Sequence, residues 1–491
     1  MKRKLLTKIV GSYVHKGKVY ALIVMAIGTW SFSSCTSDPF DGETFTSSVR
    51  NAQLKSPTAD DITISASPDG AQTNISWPVV HGAGGYICSV YDVSDPTAPV
   101  AVDGYENKLI DGCSIVVSRT EDVNYQFSIK TAGNENLNNK EAETETKVSF
   151  NSFTPTYETI PDGSDLYQYF QTNALPESSV TTNVCYDLEP GGRYTLSDVV
   201  DFTNHKVTIR TSSQSNHAKI TYTGTGACLQ TGTAFALKYV DIDCSGSSAA
   251  FFQLSSTPNE SIKGIVSGTQ SYYDIVDPID FNGCNIDNVN GMLMYDNGIK
   301  YGVANMIVRN CVIHLTTNTE STITVFNFYG GGINSFSMKN TTVYNSGAQD
   351  HNYFLRYGNN ARSTRMGYTQ NLISYENCTF YNIAYKGQWG NYSGFNGQNC
   401  SYWVMNNCIF MNCGNSQVAR RFIGGSINSS HPTFLNNTYF YDGTFEECSA
   451  YDQSGTQIEE DPMLKDPVNG DFTVGGATQV SKGTGDPRWL P

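Results

Sequence analysis

The sequence predicts an all-β protein in which a β-sandwich precedes a parallel β-helix, and three observations carry that prediction. A six-residue pattern recurs six times between Gly283 and Asp442, its starts separated by 27, 30, 37, 30 and 30 residues. In each copy the second and fourth positions are small or apolar while the third and fifth vary, which is the alternation of a short strand. Between Ser56 and Phe153 a different set of short alternating runs, roughly seven of them and punctuated by turn residues, has the spacing of a sandwich.

Residues 1–35 carry Lys2, Arg3, Lys4, Lys8, Lys16 and Lys18 without any acid, then an apolar run from Tyr20 to Trp30, then Phe32-Ser33-Ser34-Cys35. That order is a secretory signal, and its apolar core is too short for a membrane span. Cys35 behind two small residues resembles a bacterial lipobox. The resemblance implies lipidation of Cys35 and a lipid anchor in the outer membrane. Residues 36–55 read as a tether, and Ser37-Asp38 with Asp41 and Glu43 resembles the acidic stretch that sends such lipoproteins to the cell surface.

Residues 56–153 hold the runs Ile62-Thr63-Ile64, Thr73 to Trp77, Gly85 to Tyr91, Ser114 to Val117, Tyr125 to Lys130 and Thr144 to Val148. The single Trp77 in an early strand and the Tyr125-Gln126-Phe127-Ser128-Ile129 strand resemble a fibronectin type III module, which implies a spacer. A sugar-binding sandwich is the other reading.

Residues 154–491 read as the β-helix with an N-terminal cap and a C-terminal closing segment. Thr154 to Gly163 is a connection, and Asp165 to Asn173 predicts a short helix covering the open end of the solenoid. The repeats begin at Gly283, Asn310, Asn340, Asn377, Asn407 and Asn437, and a weaker copy runs from Tyr239 to Cys244. Long 3.6-residue apolar patterns are missing and Leu is scarce, so helical and leucine-rich repeats are excluded. Cys284, Cys311, Cys378 and Cys408 alternate with Thr341 and Thr438 at one position, which predicts an inward column of small side chains rather than disulfides. The sixth-position Asn288, Asn345, Asn382 and Asn412, with Asp442, fit a turn in the left-handed region.

This repeat resembles the right-handed β-helix proteins of the pectate-lyase superfamily, and the arrangement is similar to β-helix lipoproteins of Bacteroides-type polysaccharide-utilisation systems. The ending, Asp461-Pro462-Met463-Leu464-Lys465-Asp466-Pro467 through Gly485-Asp486-Pro487-Arg488-Trp489, resembles the C-terminal closure of those proteins. The resemblance implies a right-handed coil. It leaves function open, because lyases, hydrolases and binders share this scaffold.

The chain has 31 basic and 46 acidic residues, and loss of the six leader cations takes the net charge from -15 to -21. So acidic a chain lacks the clustered Lys and Arg that nucleic acid demands. No Cys/His spacing of a zinc site occurs, and no metal ligands are assigned.

Candidate ligand-binding residues come from the fifth repeat position and the long insertions. The fifth position reads Asp287, His314, Tyr344, Tyr381, Met411, Tyr441, an outward column whose spacing of about 4.8 Å matches a pyranose ring. Arg356, Arg362 and Arg365 fall among aromatics in one insertion, and Trp389 lies in the next. Guanidinium groups among rings fit the carboxylate of a uronate. Packing of the rings under loops, and pairing of the arginines with Asp350 and Glu376, are the plainer readings. The paired carboxylates of a β-helix hydrolase and the Arg-x-Pro-x-x-Arg pattern of pectate lyases are missing, so no catalytic residue is assigned. The expectation is a cell-surface lipoprotein that binds an acidic polysaccharide without cleaving it and passes it to an outer-membrane import complex. No cofactor is required, although a calcium ion would accompany the alternative, a polysaccharide lyase. An adhesin is the third class.

Overall fold

The computed structural model describes residues 48–66, 72–94, 98–120, 122–265, 271–318, 323–358, 367–391, 399–423, 431–445 and 451–491. The chain divides into two compact units, Met1–Thr154 and Pro155–Pro491.

In the first unit Thr63–Ala66, Gln72–Ser76 and Ser114–Ser118 form one antiparallel sheet. The other contains Tyr86–Asp92, Val100–Ala101, Lys108–Ile110, Asn124–Thr131 and Thr146–Asn151. The apolar alternates of both sheets meet in a core of Ile75, Trp77, Tyr86, Val90, Ile115, Val117, Phe127 and Ile129. Trp77 stacks on Phe127 at 5.7 Å and meets the edge of Tyr86 at 5.4 Å. Tyr125 opens its strand with its hydroxyl accepting from Thr120 N at 3.0 Å, a hydrogen bond that fixes the corner between strands of opposite sheets. Residues 51–55, expected in the tether, are docked instead: Leu54 is buried, its N–H donating to Lys140 O, and the next residue, Ser56, donates through Oγ to Thr144 O. Leu54 among polar neighbours carries no periodic signal, which is why the sequence placed it in a linker.

The second unit is a parallel β-helix, with the right hand that crossovers between parallel strands take. Each coil visits three sheets in turn. A representative coil runs Gly332–Lys339 in the first sheet, Thr342–Asn345 in the second and Tyr353–Arg356 in the third. The six-residue repeat is the second-sheet strand. Its inward column reads Ile220, Ile242, Ile286, Ile313, Val343, Phe380, Phe410, Tyr439 in unbroken register. The coil spacing suits ring stacking, so Phe380 lies on Phe410 at 5.0 Å and Phe410 on Tyr439 at 5.5 Å, nearly parallel.

The turn from first to second sheet is built by asparagine. Gly283, Asn310, Asn340, Asn377, Asn407 and Asn436 all sit in the left-handed region there. Asn310 Nδ2 donates to Asn282 Oδ1, Asn340 Nδ2 to Asn310 Oδ1 and Asn377 Nδ2 to Asn340 Oδ1, at 3.0, 3.2 and 3.4 Å. Of the sixth-position residues, Asn288, Asn382, Asn412 and Asp442 are also left-handed, whereas Asn345 continues its strand and donates to Gln349 O.

The thiols of Cys284, Cys311, Cys378 and Cys408 are free and buried in the inward column, with Thr341 among them. The last copy is set one residue earlier than its pattern reads. Asn436 aligns with Asn407, and Asn437 takes the inward place, its Oδ1 accepting from Cys408 N; Thr438 faces outward beside Ile409. Leu166–Thr172 is the N-terminal cap helix, with Asp165 accepting from Gln168 N and Phe170 packing on Tyr186 and Phe202.

Candidate functional site

The outward face of the second sheet, where the tyrosine column was expected to meet ligand, is occupied by the chain's own C-terminal segment. Thr342 Oγ1 donates to Asp486 Oδ2 and accepts from Trp489 Nε1, both at 2.8 Å. Asp486 N donates to Thr379 Oγ1, Gly485 N to Asn407 O and Gln479 Nε2 to Thr438 Oγ1. Burial pushes the Asp486 carboxyl up, against the nearby Arg488 and the Thr342 hydroxyl.

Tyr344 therefore lies under this segment, 7% exposed, with Phe472 edge-on at 5.0 Å and His314 stacked on its other side at 4.3 Å. Burial pushes its phenol up to about 12. Tyr381 is half-buried beneath the same Phe472, at 6.1 Å. Tyr441 leaves the column altogether, because the one-residue offset puts Phe440 beside Met411. Its ring stacks on Tyr385 at 5.0 Å and its hydroxyl donates to Tyr385 O. Trp389 is 0% exposed inside the coil, stacked on Phe354 at 4.4 Å. It belongs to the strand Gln388–Asn391, whose alternation turns it inward; a Gly- and Asn-rich surrounding sequence hides that strand. Arg365 and Cys35 lie outside the described residues.

Among the described residues expected to bind ligand, Arg356 alone stands on an open face, that of the third sheet. Parallel register aligns Gln230, Gln253, Tyr295, Asn327, Arg356 and Asn391, one per coil. Their neighbours Leu229, Phe252, Met294, Phe326 and Leu355 are core residues, so strand alternation turns the polar column outward. Gln230 is tied to Asp201 and Gln253 to Asn297, whereas Tyr295, Asn327, Arg356 and Asn391 remain partly exposed. These four span about 14 Å at one coil per 4.8 Å.

The Arg356 guanidinium lies 4.3 Å above the ring of Tyr329, which is 56% exposed, and among the described residues no carboxylate pairs with it. The Tyr329 turn is held from below. Asp296, fully buried, accepts from the N–H groups of Gly298, Tyr329, Gly330 and Gly331 at 2.8–3.0 Å. Burial pushes its carboxyl up to about 6 while those four donors pull it down. One turn of the coil further on, Asp350 accepts from Tyr385, Lys386 and Gly387 N–H, so it organises a loop instead of neutralising an arginine. His351 beside it is buried, not poised as a base, with Nε2 2.9 Å from Thr317 Oγ1. Among the described residues no group of three or more His, Cys, Asp or Glu is arranged to hold a metal ion.

The sequence reading missed the third-sheet column because its strands are two to four residues long and follow loops of unequal length. The available signal was Arg356 itself, at the end of the run Tyr353-Phe354-Leu355-Arg356.

Three family models match the chain, each described as a domain of unknown function: DUF4992 over residues 14–191, DUF4957 over 192–346 and DUF5123 over 373–489. No curated protein matches. Among solved structures, the chain is similar to pectate lyase Pel3 from Pectobacterium carotovorum, at 10% identity and TM-score 0.20, over 78% of this chain and 84% of that one. It is also similar to pectate lyase PelI from Erwinia chrysanthemi, solved in complex with tetragalacturonic acid, at 11% identity and TM-score 0.13, over 79% and 84%. At such TM-scores the fold assignment rests on the strand ladders of the chain itself.

Proposed function

We propose that the protein binds a polysaccharide on the outward face of the third sheet, and that it does so there without cleaving it. The observation that carries this reading is the polar column Tyr295, Asn327, Arg356, Asn391, spaced one coil apart, with Arg356 laid over the exposed Tyr329. Amides and a phenol at about 4.8 Å intervals match successive hydroxyls of an extended glycan. A guanidinium held flat by a ring and unmatched by a described carboxylate selects an acidic sugar, a uronate above all.

Within the same proposal the chain is lipidated at Cys35 and anchored on the cell surface, the first unit is a fibronectin type III-like spacer, and the glycan passes to an outer-membrane import complex. The basic, apolar and small-residue order of residues 1–35 supports the export step. The placement of Tyr125 and Trp77 in two facing antiparallel sheets supports the spacer.

Affinity electrophoresis of the mature protein against polygalacturonate and neutral glycans, with absorbance followed for unsaturated uronates, tests the reading. Retardation by the acidic polymer without new absorbance is expected, and Arg356→Ala should remove it. New absorbance would make the protein a lyase, and no retardation by any glycan would leave an adhesin.

A further inference from the structure

A second cluster lies on the outward face of the second sheet, in the coils just before the C-terminal segment covers it. Asp287 and His314 lie on two successive second-sheet strands, and Ser346 directly follows the next, Thr342–Asn345. His314 Nε2 is 2.7 Å from Ser346 Oγ, and His314 Nδ1 is 3.6 Å from Asp287 Oδ1. The ring is not free to turn, because it stacks on Tyr344 at 4.3 Å with only 4° between the planes, and Phe472 fixes Tyr344 from the other side. Ser346 is exposed and follows the strand Thr342–Asn345, its backbone held by donation to Leu315 O. The turn after it is fixed too: Gly347 N donates to Asn345 Oδ1 and Ala348 N to Asn318 Oδ1. A Cβ at Gly347 would meet Thr317 backbone atoms at 2.3 Å, so only glycine lets this turn lie against the previous coil.

We propose that Ser346, His314 and Asp287 form a hydrolytic site for acyl esters presented at the protein surface, separate from the third-sheet glycan face and independent of it. A hydroxyl within hydrogen-bond reach of an imidazole, itself facing a carboxylate, is the arrangement that activates a serine nucleophile. The Asp–His separation is long for a hydrogen bond, as happens in sites without substrate, where catalytic contacts tighten on binding. Asp287 is half-exposed and His314 mostly covered, so the site opens to solvent on one side and takes an ester carried on a larger molecule.

In the first step Ser346 Oγ bonds to the acyl carbon and its proton passes to His314 Nε2. Collapse of the tetrahedral adduct breaks the ester C–O bond, and the departing alkoxide takes that proton and leaves as the alcohol. Water then gives a proton to His314 and its oxygen to the acyl carbon. The carboxylic acid departs as the proton returns to Ser346 Oγ, so ester and water give acid and alcohol. Asp287 is a positioning residue, holding the imidazole with Nδ1 protonated.

The test is covalent labelling of the full mature chain by a fluorophosphonate, together with hydrolysis of p-nitrophenyl acetate. Stoichiometric label on Ser346, identified by peptide mass spectrometry, is expected. Ser346→Ala should abolish label and turnover without moving the thermal transition, and His314→Gln should slow both at least 100-fold, on the order seen for serine triads. An unlabelled wild-type protein, label that survives Ser346→Ala, or equal turnover in wild type and Ser346→Ala would each overturn the proposal. Glycan retention is unaffected by either variant, so failure of the esterase and failure of glycan binding are read separately.

Discussion

Tyr344→Ala and Arg356→Ala separate the two faces of the β-helix by opposite responses. Tyr344 is 7% exposed between His314 and Phe472. Truncating a buried aromatic costs about 3–5 kcal/mol, and the lower figure applies because a C-terminal segment can settle into the space more easily than a core strand. For a unit this large each kcal/mol moves the transition by roughly 2 °C, so the melting temperature should fall by about 6 °C. Arg356 makes a ring contact on an exposed face, worth about 0.5–1 kcal/mol, so Arg356→Ala should shift melting by at most about 2 °C. Losing a charge-assisted pair to a carboxylated sugar costs about 1.5–3 kcal/mol, a fall of roughly 10- to 100-fold in affinity. Differential scanning calorimetry and affinity electrophoresis on the same preparations read both numbers. If Tyr344→Ala melts within about 1 °C of wild type and loses glycan retention, the tyrosine column is the ligand surface and the reasoning above is wrong.

Other outcomes follow from single contacts. Burial holds His351 down to about 4 against an ordinary 6.5, so its contribution is present above pH 6.5 and is lost as pH falls towards 4, by about 3 kcal/mol; His351→Gln should flatten the melting-temperature profile across that window. Gly283→Ala places a Cβ 2.6 Å from the Tyr239 ring in a left-handed turn, and chemical denaturation should show a loss of about 2–4 kcal/mol. Thr342→Val keeps the shape but removes the donor to Asp486 Oδ2 and the acceptor of the Trp489 indole N–H; a loss of about 2–3 kcal/mol, and faster proteolysis within residues 465–491, should accompany it.

How much of this was legible in the sequence depends on what repeats. The second-sheet strands recur at a near-constant interval, so the coil, its inward column and its free thiols could be read directly. The register of the last copy could not, because Asn436 and Asn437 are adjacent and either satisfies the pattern; only the left-handed backbone at Asn436 and the inward amide of Asn437 decide it. The first-position asparagines stand in five copies, but a side-chain ladder between coils depends on the left-handed turn that aligns them, which spacing alone does not specify. The fate of Tyr344 and Tyr381 was out of reach for a different reason. Alternation says which side of a strand a residue faces, not what covers that side, and Phe472 arrives from more than 90 residues downstream with no period of its own.

The same reasoning explains why the outward faces of the coil differ. A three-sheet coil has three outward faces, and sequence alternation alone treats them alike. The first-sheet face carries the buried pair Arg210–Asp187 and the half-buried pair Arg309–Asp280, charges already matched within the chain. The second-sheet face is closed over its later coils by Gly485, Asp486 and Trp489, whereas Asp287 and Ser346 on earlier coils stay open to solvent on either side of His314. The third-sheet face keeps an arginine without a described acidic partner. Since the chain carries a net charge of -15 and repels a polyanion at long range, the proposed binding of an acidic glycan requires short-range geometry within about 10 Å, the reach of a charge in 0.1 M salt. Arg356, braced on Tyr329 and underpinned by Asp296, supplies that geometry.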